Sequence, residues 1–244
     1  MDALEAGFWG FVGGASLLIG ALIGLYVGVP QRVIAIIAAA GAGVLVSSMA
    51  FELMEEAYRM GGFYASSMGI LLGALAFFTA DWAVCYLGGK HRKRSGGQQA
   101  GGSSTAITIG AILDGIPESV AIGVSLIEGG AVGAVMVVAV FLSNVPESLS
   151  AASGMKKAGH TPTYILGLWG TVVAICAASA LFGYLFLAGA PEELIAAILA
   201  FAAGAILTML ASTMFPEAYE EGGHVVGVVT TIGFLVAFVL SRLG

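Results

Sequence analysis

Charge is scarce in this chain. Of its 244 residues only 10% are Asp, Glu, Lys or Arg, against roughly 25% in an ordinary soluble domain. The shortage runs the whole length, which points to a polytopic membrane protein. Cysteine is nearly missing too. Cys85 and Cys176 lie far apart in apolar runs, which excludes a disulfide framework or a cysteine metal motif and leaves them as packing residues. No excess of positive charge exists to attract nucleic acid, because the net charge is -6. The opening MDALEAGFWG lacks the basic stretch of a signal peptide, so the first apolar run is expected to be retained. Two-residue alternation is lacking as well, which argues against a β-barrel.

Apolar residues and glycine fill the space. The chain is 59% hydrophobic with a mean hydropathy of +0.99 and 37 glycines. Small residues let membrane helices approach closely, either inside one bundle or across a homodimer. A crossing helix needs about 20 apolar residues, and eight candidates lie at about 7–29, 33–58, 64–88, 105–127, 131–155, 163–187, 192–219 and 224–242. Pro30, Gly61-Gly62, Gly129-Gly130, Pro162, Pro191 and Gly222-Gly223 punctuate the joins. The expectation is therefore an all-α integral membrane protein, residues 1–244 forming one transmembrane domain in a cell membrane. A linker at about 89–104 would include the flexible SGGQQAGGSS.

An even number of passes puts both termini on one side. If that side is extracytoplasmic, Arg32, Lys90, Arg92, Lys93, Arg94, Lys156 and Lys157 fall inside and only Arg59 and Arg242 outside. The positive-inside rule favours this arrangement. The run KHRKR, Lys90 to Arg94, reads chiefly as that topology signal, with a lipid-headgroup or regulatory role as the alternative.

Two internal echoes stand out. Asp114-Gly-Ile-Pro-Glu-Ser119 matches Ser143-Asn-Val-Pro-Glu-Ser148, and Glu56-Ala-Tyr-Arg-Met-Gly-Gly62 matches Glu217-Ala-Tyr-Glu-Glu-Gly-Gly223. The second pair falls on oppositely directed helices, as in an inverted-topology transporter. The first three and last three helices would be related halves around the fourth and fifth. In all four segments a polar residue stands four before a glutamate: Glu52, Asp114, Ser143 and Thr213 before Glu56, Glu118, Glu147 and Glu217. That spacing places each pair on one helix face.

Asp114, Glu118 and Glu147 lie near mid-membrane, where a charge costs at least about 2.5–3.5 kcal/mol. No Lys or Arg lies in the core of any expected helix, so intramembrane salt bridges are not expected. Bound protons, water or a metal cation remain to offset the cost. A divalent cation would relieve like-charge repulsion between Glu118 and Glu147. Pro117 and Pro146 would free backbone carbonyls, and Asn144 and Ser143 offer neutral oxygens, making a hard, oxygen-rich site. Glu52, Glu55 and Glu56 would form an outer entry, Glu52 being also a candidate metal ligand, and Asp81, Glu217, Glu220 and Glu221 an inner exit. No His-Glu-x-x-His or familiar intramembrane protease motif occurs, so an enzyme is not expected.

With these motifs the chain resembles the ZIP family of divalent-metal transporters over nearly its whole length. That family carries His-Asn-x-Pro-Glu-Gly in its fourth helix and a related x-x-x-Pro-Glu-Gly in its fifth. Pro117, Glu118, Pro146 and Glu147 match, which implies metal-ligand roles for Glu118 and Glu147. Asp114 takes the place of the family's histidine, and Asn144 that of a polar or acidic ligand. Glu52-Leu-Met-Glu-Glu56 and Pro216-Glu217 resemble the second- and seventh-helix motifs. The resemblance implies eight helices, both termini outside, no resident cofactor, and zinc as the first expected cargo. The missing central imidazole leaves room for manganese or iron(II), and cadmium belongs to the same class. A proton-coupled carrier of another solute, using the same glutamates, is the alternative.

Overall fold

Long apolar runs leave the backbone to satisfy itself, and the chain does so almost entirely as helix. The structure, a computed structural model, describes residues 3–128 and 131–243. Helix α1 spans Ala3–Tyr26, α2 Gln31–Ser48, α3 Glu55–Val84, α4 Ser104–Glu128 and α5 Ala131–Lys157. Then come α6 at Pro162–Leu187, α7 at Glu192–Met209, α8 at Phe215–Gly222 and α9 at Val225–Leu243. No strand occurs among the described residues. Among the described residues seven helical stretches are long and apolar enough to cross a membrane, one of them the 59-residue run Gln31–Gly89. The expected join at Gly129-Gly130 lies outside the described residues.

The joins follow elementary chemistry. Pro30 precedes α2, Pro191 precedes α7, and Pro162 opens α6. There the Thr161 hydroxyl oxygen accepts a 3.2 Å hydrogen bond from the Tyr164 amide, capping the helix. Expected boundaries shift by a few residues at most joins, α1 ending at Tyr26 rather than 29. Two differences matter more. Pro117 and Pro146 lie inside uninterrupted α4 and α5. Instead α2 and α7 loosen into π-helical turns, Met49–Met54 and Leu210–Met214. Glu52 and Thr213 stand inside those turns.

The run Gln31–Gly89 is not one straight rod. At Gly62 φ is 64° and ψ is -167°, a conformation essentially reserved for glycine. Gly223 adopts nearly the same angles, 68° and -155°. Gly43 stands to Gly204 as Gly62 stands to Gly223, at the same separation in the chain. Both make close backbone approaches: a Cβ on Gly43 would lie 2.0 Å from the Thr230 carbonyl oxygen, and one on Gly204 2.0 Å from that of Ile70. Helix α2 thus lies along α9, and the leg after Gly62 lies along α7.

The molecule is apolar outside and polar within. Phe8, Leu71, Phe78, Phe186, Val228 and Ile232 are exposed, while Asp114, Glu118, Ser143, Asn144 and Glu147 are buried. Exposed apolar surface on this scale suits lipid. A large apolar core includes Leu45, Met49, Leu53, Ile122, Met136, Val140 and Ile206, and a smaller one includes Leu17, Ile107, Met155 and Trp169.

The close approaches predict a sharp contrast. Gly73→Val and Gly204→Val put a side chain into carbonyl oxygens that a Cβ would meet at 1.9 and 2.0 Å. Each should cost about 1–3 kcal/mol and lower the thermal unfolding midpoint in detergent. Gly167, open to space, should tolerate Ala with no loss.

Candidate functional site

The four-residue spacing on α4 places Asp114 one turn from Glu118, and α5 sets Glu147 against them. Their exposures are 2%, 1% and 7%. Glu118 interacts electrostatically with both Glu147 and Asp114, so the sequence correctly brings these three acids together. What accompanies them was not expected. The basic loop enters the bundle and supplies the counter-charges, which corrects the expectation that intramembrane salt bridges are not available. Arg92 and Lys93 are each only 3% exposed.

Arg92 acts as a fork. Its Nε lies 3.0 Å from Asp114 Oδ2 and one terminal nitrogen 3.1 Å from Asp114 Oδ1; the same nitrogen lies 2.7 Å from Asp81 Oδ1. This planar, two-point grip is the geometry guanidinium favours. Lys93 stands between the two helices. Its ammonium lies 3.1 Å from Glu147 Oε2 and 3.3 Å from Asp114 Oδ2. The charges of Asp114 and Glu147 hold it there. Glu118 Oε1 is buried and has no hydrogen-bond partner.

Small residues make room for the loop. A Cβ on Gly154 would lie 1.8 Å from the Arg94 carbonyl oxygen, and one on Gly110 2.2 Å from Arg92 Cδ. On α5 the Ser150 hydroxyl donates to the Lys93 carbonyl at 2.5 Å, and Lys157 Nζ donates to that of Ser95 at 2.8 Å. The Gln99 side-chain amide donates to the Arg94 carbonyl at 2.5 Å from a short 3₁₀ turn, Gln98–Gly101. The glycine- and serine-rich linker expected to be flexible is therefore tied down on α5.

Burial by itself would pull the Lys93 ammonium down, but Asp114 and Glu147 outweigh it and hold it above its ordinary value. Arg92 is likewise raised: burial opposes its charge, and Asp114 and Asp81 more than compensate. Burial, helped by Arg94 and Lys90, pushes the His91 imidazole below its ordinary value, so it adds little positive charge at neutral pH.

The other expected residues divide by location. Of the exit acids, Asp81 pairs with Arg92, Glu217 lies 3.9 Å from Arg94, and Glu220 pairs with Arg94. Glu221 lines a cavity of about 30 Å³ beside Lys93, Arg94, Glu147 and Glu217. Of the entry acids, Glu52 is buried at 5% exposure, Glu55 pairs with Arg242 at 3.3 Å, and Glu56 pairs with Arg59. These three lie apart from the central acids. Asn144 donates to the Gly13 carbonyl at 3.3 Å and Ser143 to that of Val140 at 3.0 Å, so both amide and hydroxyl are committed to backbone. Among the described residues, no three His, Cys, Asp or Glu side chains converge closely enough to hold a metal ion. Beside Arg92, Lys93, Asp114 and Glu147 only about 10 Å³ is free, room for about one water.

Sequence reasoning missed Arg92 and Lys93 because it assigned cations to membrane levels by helix boundaries. A signal existed: a run of cations in a short loop, facing lone acids with no other counter-charge. A raised folded-state value means that Lys93 contributes stability fully below the ordinary lysine range, lost only as pH climbs through the raised value. Its seat should thus hold throughout neutral pH. At pH 8 in membranes, Lys93 should react with an amine acylator about tenfold or more slowly than exposed Lys90, as local opening limits access; mass spectrometry reads both sites. No protein-family model and no curated protein matches the chain.

Proposed function

We propose that the protein is a secondary transporter that carries a divalent transition-metal cation into the cytoplasm by alternating access, as its resemblance to ZIP transporters implies. The observation that carries this reading is the buried set Asp114, Glu118 and Glu147, whose nearby compensation comes from a loop rather than from the helices themselves. Acids fixed in the bundle with a detachable counter-charge suit a site that accepts and releases a cation. Pro146 and Glu147 border a cavity lined also by Lys93, Arg94 and Ser95 of the loop, which supports access to the acids from the loop side.

Eight passes fit this reading. At about 1.5 Å per residue, a straight run over the 59 residues of Gln31–Gly89 would approach three bilayer cores, so the break at Gly62 divides it into two. The matched turns at Gly62 and Gly223, the matched π segments and the reciprocal glycine contacts support an inverted repeat of the first three and last three passes around α4 and α5. The positive-inside bias puts both termini outside and the loop in the cytoplasm. Carboxylates without imidazole favour a harder ion such as manganese or iron(II), while the family resemblance favours zinc; cadmium is the softer member of the panel.

A second reading draws on Glu118, whose unpartnered buried oxygen also suits a proton carrier for another solute. Uptake into proteoliposomes separates the two. Zinc, manganese or iron(II) uptake should fall about a hundredfold, equivalent to about 3 kcal/mol, when Glu118→Gln is combined with Glu147→Gln. Undiminished uptake by that variant contradicts the site. Proton-driven flux with no divalent uptake favours the second reading.

A further inference from the structure

We propose that Lys93 is a tethered occupant of the cation seat, and that a transported ion enters only by displacing its ammonium and lifting the 89–104 loop. This inference rests on the reading of the site as a divalent-cation pathway and names the residue that sets its selectivity. Lys93 Nζ lies 3.1 Å from Glu147 Oε2 and 3.3 Å from Asp114 Oδ2, bridging the two helices that carry the acids. The free spaces bordering Lys93 and Glu147 are about 10 Å³ and about 30 Å³, too small for the ammonium and a metal ion with its oxygen ligands together.

Lys93 reaches each acid through a single point contact from a rotatable ammonium, which makes it exchangeable for another cation. Arg92 differs. Its fork grips Asp114 twice and Asp81 once, so it is the fixed member of the pair and Lys93 the movable one.

Selectivity follows from charge. Asp81, Asp114, Glu118, Glu147 and Glu217 are five acids facing Arg92 and Lys93. A monovalent ion replacing Lys93 leaves that balance as it was, and it competes with an ammonium held nearby at high effective concentration. A divalent ion brings one more positive charge to the same acids. Lys93 therefore screens out sodium and potassium while yielding to divalent ions. Release of the ion lets the ammonium return, so the acids are not left bare when the carrier resets.

The loop's attachment gives an independent handle. Gly154 and the Arg94 carbonyl approach so closely that a Cβ would stand 1.8 Å from that oxygen. Gly154→Val should push the loop backbone off α5 without altering Asp114, Glu118, Glu147 or Lys93.

The test is equilibrium binding of manganese(II) and zinc(II) to purified parent, Lys93→Gln and Gly154→Val proteins in nanodiscs. Both variants should bind the divalent ions about tenfold or more tightly than the parent. Excess sodium should compete in Lys93→Gln and not in the parent. In the parent, saturating manganese(II) or zinc(II) should expose Lys93 to amine acylation. If the parent binds, but neither variant binds more tightly and Lys93 stays protected when loaded, the inference is overturned and the transport reading stands. If no protein binds either ion, the transport reading falls and this inference with it. Should both variants fail to fold, Lys93 labelling in the loaded parent decides the matter alone.

Discussion

Carboxylates buried in a bundle must be neutralised, and here the neutralising groups arrive from outside the helices. Asp114 and Glu147 are compensated by Arg92 and Lys93 at 3.0–3.3 Å. Removing one side of such a pair typically costs about 3–5 kcal/mol, because the other charge is left buried. That cost dictates much of the local structure. The loop must enter, so Gly154 and Gly110 must be small. It must stay in register, so Ser150, Gln99 and Lys157 hold its carbonyls. Arg94 continues the pattern by reaching Glu217 and Glu220 at the end of the α7–α8 stretch. The electrostatic demand of a few acids thus ties α3, α4, α5 and α8 to one short segment.

A second constraint is geometric. The segments around Glu52–Glu56 and Thr213–Glu217 share a π-helical turn and a glycine break at matching places. A π turn leaves backbone groups without their usual partners and often marks a working part of a helix. The glycine contacts between α2 and α9, and between the second leg of α3 and α7, bring backbones closer than any side chain permits. Such close approach through small residues is the packing that membrane helices favour.

The sequence made the helices legible because hydropathy over about 20 residues is a strong signal, and Gly62 and Gly223 marked the turns through their repeated context. It also brought out Asp114, Glu118 and Glu147, since a lone acid in an apolar run has few bland explanations. It did not reveal where KHRKR goes. A loop cation has no periodicity to betray its direction, and Arg92 and Lys93 reach the acids only through the three-dimensional path of the chain. Nor did the sequence mark the loosened turns in α2 and α7, while α4 and α5 continue through Pro117 and Pro146. Of the expected entry and exit acids, the pairing of Glu55 with Arg242, of Asp81 with Arg92 and of Glu217 and Glu220 with Arg94 depends on side chains distant in sequence.

The central claim is that loop cations and helix acids form one energetically coupled set. A double-mutant cycle on Arg92→Met and Asp114→Leu, read by reversible unfolding in detergent, tests it most directly. The pair should show a coupling energy of more than about 1 kcal/mol, the double variant being less damaged than the single losses imply. Losses that add to within about 0.3 kcal/mol would show that Arg92 and Asp114 do not interact, and would contradict the account.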